Sequence, residues 1–192
     1  MIALGIICLP IAAHAATLDF EDLSLGLDLP PIVYVNAGGT GIDVTLAADH
    51  LSVADTFSSK GNALLSQDPN RSPLTITFSG LINNFSLDTG DFGADDDSPV
   101  MIQLYDASDN LLDTVSQPWD ASMDISNGPY LHLASLATGV KKVVFSSGGQ
   151  FPNSMYVDNV SFSANAVPEP ATMAILGLGS VALIRRRRRS TP

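Results

Sequence analysis

Residues 171–184 contain no charged side chain, and the next five residues are all arginine: Arg185, Arg186, Arg187, Arg188 and Arg189. Pro168 and Pro170 stand just before this stretch and stop any strand that reaches them. Fourteen residues at 1.5 Å rise make a helix of about 21 Å, against a hydrocarbon core of about 30 Å. The segment therefore reads as a short hydrophobic helix whose mismatch is met by local thinning and by outward-reaching arginines. The positive-inside rule keeps the arginine run cytoplasmic and places the preceding chain on the far side of the membrane. A basic run directly behind an apolar helix reads as a membrane stop rather than a nucleic-acid tail.

The rest of the 192-residue chain agrees with that layout. Its formal net charge is −11, although five of its nine basic residues sit in the arginine run. Residues 16–165 keep only Lys60, Arg71, Lys141 and Lys142 against nineteen acids. Such a body has no electrostatic footprint for nucleic acid. Residues 1–15 form an apolar run ending in Ala13-His14-Ala15, a small-x-small cleavage pattern. The run is too short to span a bilayer and reads as a signal peptide. No basic residue precedes it, so the true start is expected upstream. Cys8, the one cysteine, would leave with the leader, so no disulfide, iron–sulfur or cysteine–zinc chemistry is available to the body. The expected division is a signal peptide at 1–15, a folded domain at 16–165 and a C-terminal signal at 166–192.

The body carries strand signals and no sustained helical period. Residues 74–78 (LTITF) and 100–105 (VMIQLY) alternate, and 42–46, 130–133, 140–145 and 157–162 are further candidates. Clusters of Asn, Asp, Gly, Ser and Pro separate them, and 106–110 (DASDN) between two apolar runs is a hairpin signal. Short strands with such punctuation predict an all-β, antiparallel β-sandwich.

Val167, Pro168, Glu169 and Pro170, the apolar stretch and the terminal arginines together resemble the PEP-CTERM sorting signal of Gram-negative bacteria. That resemblance implies recognition by an exosortase, a membrane cysteine transpeptidase that cuts near Pro-Glu-Pro and passes the body to the cell surface or extracellular polymer matrix. It covers about the last 26 residues and implies a route rather than an activity. Within the body, residues 18–23 (LDFEDL), 90–97 (GDFGADDD), 104–111 (LYDASDNL) and 156–162 (YVDNVSF) resemble jelly-roll domains common in such proteins. These are similar to the galactose-binding-like sandwiches used as carbohydrate-binding modules, a likeness of fold more than of ligand.

Several residue groups carry candidate chemistry. Asp91, Asp95 and Asp97 belong to a seven-residue stretch with four carboxylates, which suits either a solvated loop or a Ca²⁺ loop. The jelly-roll resemblance implies a structural Ca²⁺ where the terminal strands meet, with Glu21, Asp22 and Asp158 as matching oxygens. An ordinary polar strand face is the alternative for these three. Trp119, the single tryptophan, is the sugar-stacking candidate if exposed and a core residue if buried. Asp88-Thr89-Gly90 matches an aspartic-protease tripeptide, but no second copy exists to share the proton. No serine-hydrolase elbow or P-loop is present. His132 reads as a strand residue, and His50 has no evident partner in the sequence.

These features predict an exported, non-enzymatic surface or extracellular-matrix protein. It would be held transiently in the cytoplasmic membrane, processed by an exosortase-type transpeptidase, and associated with exopolysaccharide or other surface proteins. Ca²⁺ is the one expected ion. The alternatives are an extracellular glycan hydrolase using paired carboxylates and a structural matrix protein without a ligand.

Overall fold

A computed structural model of the chain describes residues 14–55, 61–66, 72–91, 98–119, 130–149 and 152–164. Residues 14–165 form one compact unit; the other unit, residues 1–13 with 166–192, lies outside the described residues. The expected apolar helix at 171–184 and nearly all of the expected leader therefore fall outside them. Among the described residues no helix is long and apolar enough to cross a membrane.

The described body is all-β and antiparallel, as the alternating runs predict. Eleven strands follow one another: β1 (Ala15–Leu18), β2 (Gly26–Leu29), β3 (Ile32–Tyr34), β4 (Val44–Ala47), β5 (Leu51–Asp55), β6 (Asn62–Ser66), β7 (Leu74–Gly90), β8 (Val100–Tyr105), β9 (Leu111–Gln117), β10 (Leu131–Ser147) and β11 (Tyr156–Ala164). Among the described residues a 3-10 turn, Ala37–Gly39, interrupts them.

Two strands, β7 and β10, are 17 residues long and run side by side through both layers. Their first layer pairs residues 74–77 of β7 with 142–145 of β10, flanked by β3 and β4 on one side and β8 and β9 on the other. In the second layer, residues 82–89 of β7 pair with 131–140 of β10, and the strand order continues through β11, β6, β5 and β2. The terminal strand β1 also pairs with β11. Between the layers the ribbon loses its regular register, with shifts at Ser135/Thr138, Thr138/Val140 and Val140/Lys142. Left-handed backbone at Asn84 (φ 51) and Gly139 (φ 75) lies in this region, as expected of bulges that bend and twist a strand.

Alternation then fills the space between the layers. Ile76 and Phe78 of β7, Phe85 and Leu87 further along it, Leu133 and Val143 of β10, and Phe162 of β11 are all buried. Phe78 packs edge-on against Phe85 (6.2 Å) and Phe162 (5.1 Å), a geometry that suits aromatic quadrupoles. Because Phe78 belongs to one layer and the other two rings to the second, these contacts seal the sandwich.

The 106–110 hairpin signal is realised. Asp106 donates its backbone N–H to the Asn110 carbonyl at 3.0 Å, and its carboxylate accepts the N–H groups of Ser108 (2.7 Å) and Asn110 (2.9 Å). The candidate runs 130–133 and 140–145, expected as separate strands, fall, apart from Tyr130, within the single strand β10.

Replacing Phe78 with alanine removes a ring that bridges both layers and leaves a cavity between them. The expected loss is about 3–5 kcal/mol of unfolding free energy, read from the urea midpoint of the body (residues 16–165) at unchanged m-value.

Candidate functional site

The terminal strands meet beside β7, and the last of them is irregular there. Asp158 pairs with Asp88 and Ser161 with Ser86, so β11 spends three steps where β7 spends two. Asn159, with φ 48, sits in this extra step. Asparagine tolerates such backbone better than most residues. The bulge brings two adjacent polar side chains to one place. Asn159 donates its backbone N–H to Asp158 Oδ1 (2.7 Å) and its amide to Asp88 Oδ2 (3.0 Å). The other oxygen of Asp88 bonds His132 Nδ1 across the β7–β10 pair at 2.7 Å.

Asp158 is only 4% exposed. Burial pushes its carboxyl up to about 6; the bond from Asn159 opposes this, and repulsion from Asp88, Glu21 and Asp19 adds to it. Glu21 is held nearby because its carboxylate accepts the Asn62 N–H (2.9 Å) at the start of β6. Glycine is required at the preceding position: Gly61 has φ 80, and a Cβ there would run into the Glu21 carboxylate.

Of the three carboxylates expected to share a Ca²⁺, Glu21 is near enough to Asp158 to repel its charge. Asp22 is not part of the group. Its carboxylate accepts the Tyr34 hydroxyl at 2.8 Å, an arrangement that, after burial itself, raises the Tyr34 pKa strongly. Asp88 and Asp19 act on Asp158 only by repelling its charge. In the sequence, Asp88 stands out only as the first residue of a protease-like tripeptide. Its neighbour Thr89 is fully buried and donates its hydroxyl to the Tyr156 carbonyl (2.8 Å), so the tripeptide is ordinary strand.

Asp91 is 4% exposed and contributes, after burial, to raising the Tyr156 pKa. Asp95 and Asp97 lie outside the described residues. Among the described residues no three histidines, cysteines or carboxylates are grouped to hold a metal ion.

Trp119 does not serve as an exposed stacking platform. It is 6% exposed and packed into the core cluster, so the core alternative holds. Its backbone N–H donates to the Ser98 hydroxyl (3.2 Å), while its buried indole N–H has no partner among the described residues. His50 does have a partner, the Asp28 carboxylate. His132 is exposed, as expected of a surface strand position. Among the described residues no hydroxyl or thiol hydrogen-bonds its ring.

Residues 166–189 match the PEP-CTERM protein-sorting motif. A chain with this motif is exported and crosses the membrane for sorting by exosortase. No curated protein sequence matches the chain. Among solved structures, a DUF4465 family protein from Bacteroides caccae shares 8% identity at a TM-score of 0.47, with 79% of this chain and 99% of that one covered. A family 29 carbohydrate-binding module shares 11% identity at 0.38, covering 83% and 99%. An adhesin domain of Lys-gingipain from Porphyromonas gingivalis shares 16% identity at 0.39, covering 79% and 98%.

Two measurements check this geometry. Burial pushes the Asp158 carboxyl up to about 6, from the ordinary aspartate value of 3.8. Between those values the native state holds a proton that the unfolded chain has released, so this group's contribution to stability falls as pH rises. Asp158→Asn should therefore stabilise the body at pH 7 by roughly 2–3 kcal/mol and have little effect below about pH 4. An equal effect at both pH values would contradict the assignment. For Trp119, native emission should be blue-shifted and unmoved by added polysaccharide, shifting red only on unfolding.

Proposed function

We infer that this chain is a non-catalytic surface or extracellular-matrix protein, delivered through its C-terminal sorting motif and associated there with exopolysaccharide. The observation that carries the reading is the motif at 166–189, which follows almost directly on the last strand, Tyr156–Ala164. An exosortase-type transpeptidase is its processing partner, and the cytoplasmic membrane is a transient stop.

Two further observations support a binding role over catalysis. The described carboxylates of the candidate site are spent on Asn159, on His132 and on the Asn62 N–H. The body is also strongly acidic, which keeps it hydrated and soluble in a polymer matrix. Ca²⁺ enters this reading as an ion that bridges the acidic body to anionic polymer.

Fractionation of cells with and without the transpeptidase tests the route. The body should be released to the surface or matrix fraction in its presence and stay full-length in the membrane fraction in its absence. The double variant Pro168→Ala, Glu169→Gln should behave as the enzyme-free strain does. An uncut chain in the cytosol of competent cells would refute the proposal. Co-sedimentation of the released form with matrix polysaccharide, with Ca²⁺ and with chelator, tests the association; release of reducing ends would favour the hydrolase instead.

A further inference from the structure

Cleavage after Ala13-His14-Ala15 falls on the Ala15–Ala16 peptide bond, and the fold closes over that bond. Ala15 and Ala16 open β1 and pair with Ser163 and Phe162 of β11. Ala164 donates its N–H to the His14 carbonyl at 2.8 Å, so hydrogen bonds to β11 flank the bond on both sides. Ala16 is 4% exposed. The turn Ala37–Gly39 lies against it. A Cβ on Gly38 (φ 56) would come 2.7 Å from the Ala16 Cβ and 3.6 Å from the Ala15 oxygen. Bare glycine backbone is what fits so near the bond.

Hydrolysis of this bond consumes one water. The Ala15 carbonyl carbon takes its hydroxyl and leaves with the leader as a carboxylic acid, and the Ala16 nitrogen takes its proton as a new amine. An attacking group has to come within about 3–3.5 Å of the carbonyl carbon, and donors within about 3 Å of the forming oxyanion. In the folded body the Gly38 turn and β11 crowd that space. The bond is open earlier. Thr17 and Ser161, whose hydroxyls meet at 2.8 Å across the strand pair, stand 144 residues apart in the chain. A pairing that distant closes a long loop and forms late, after β11 has followed the leader across the membrane.

We propose that the leader is removed before β1 seats on β11, and that seating of this pair under the Gly38 turn ends access to the Ala15–Ala16 bond. A chain that folds first keeps its leader. The ladder sets no such limit on the C-terminal cut: the last strand ends at Ala164, and Pro168 and Pro170 have no N–H to give a ladder. The fold thereby orders two hydrolytic or transfer steps, the N-terminal one before the sheet closes and the C-terminal one independent of it. The processed chain keeps Ala16, Leu18 and Phe20 in the core, and Ala164 gives up its bond to His14. The inference rests on reading residues 1–15 as a leader.

The test digests three substrates with a bacterial leader peptidase and reads the new Ala16 amine by mass spectrometry. The first is the full 192-residue chain, folded in detergent micelles with blue-shifted Trp119 emission as the sign of folding. The second is the same chain with a short flexible Gly-Ser spacer between Ala15 and Ala16, which keeps Ala13-His14-Ala15 and carries the cut clear of β1; its new amine is on the spacer. The third is a peptide of residues 1–24, which has no β11 to pair with. The peptide and the folded spacer form should be cut, and the folded natural chain at least about tenfold more slowly, as expected of a bond that opens only by local unfolding. Equal rates for the natural chain and the spacer form overturn the proposal. A folded spacer form as slow as the natural chain, with the peptide cut, also overturns it, because the protection then lies outside the strand. A peptide cut elsewhere, or left whole, removes the leader assignment at Ala15–Ala16 and the proposal with it, and leaves the sorting reading standing.

Discussion

Phe78 is the contact on which the sandwich depends. It leaves the first layer and meets Phe85 and Phe162 of the second, so neither layer keeps its apolar face covered if the other moves. The same strand supplies both Phe78 and Phe85, seven residues apart across the bend. Strand β7 is therefore at once a member of each sheet and the hinge between them. Its partner β10 bends at the same place, with Gly139 supplying the left-handed backbone. A bend shared by two hydrogen-bonded strands keeps their backbone groups largely paired while turning the sheet through a corner.

Alternation made the paired halves of these strands legible and hid their continuity. Residues 74–78 show period two, and so do 130–133, but 79–84 (SGLINN) and 134–139 (ASLATG) look like turns. They are the bent middle of the ribbon, where bulges break the period and admit Gly and Asn. Strands β5 and β6 were missed for another reason. Ser52 and Ala63 are buried along with their apolar neighbours, so these short strands show no polar face to alternate with. The Asp106 turn was legible because its chemistry is local: one carboxylate caps two N–H groups within four residues.

The candidate site divides along the same line. That Glu21 and Asp158 meet follows from pairing the first strand with the last. That Asp88 joins them depends on register across β11 and β7 and on the extra step at Asn159, which no local pattern in 156–162 announces. Asp22 is drawn away by Tyr34, twelve residues later in the chain. Trp119 lies in a polar, turn-like sequence (QPWD) yet packs into the core cluster. The polarity of its neighbours says nothing about the cavity its ring fills.

The position of β11 bears on how firmly the C-terminal end of the body is held. The strand that leads to the sorting motif is an interior one, bonded to β7 on one edge and to β1 and β6 on the other. Its last residue, Ala164, is held on both sides, by pairing with Ile82 and by the His14 carbonyl. Releasing this strand therefore means breaking hydrogen bonds on two edges, where an edge strand has them on one. The bulge at Asn159 adds a side-chain anchor to Asp88 further along the same strand. Local opening starts where backbone bonds are few and exposed, and this strand offers neither condition along its β7 edge.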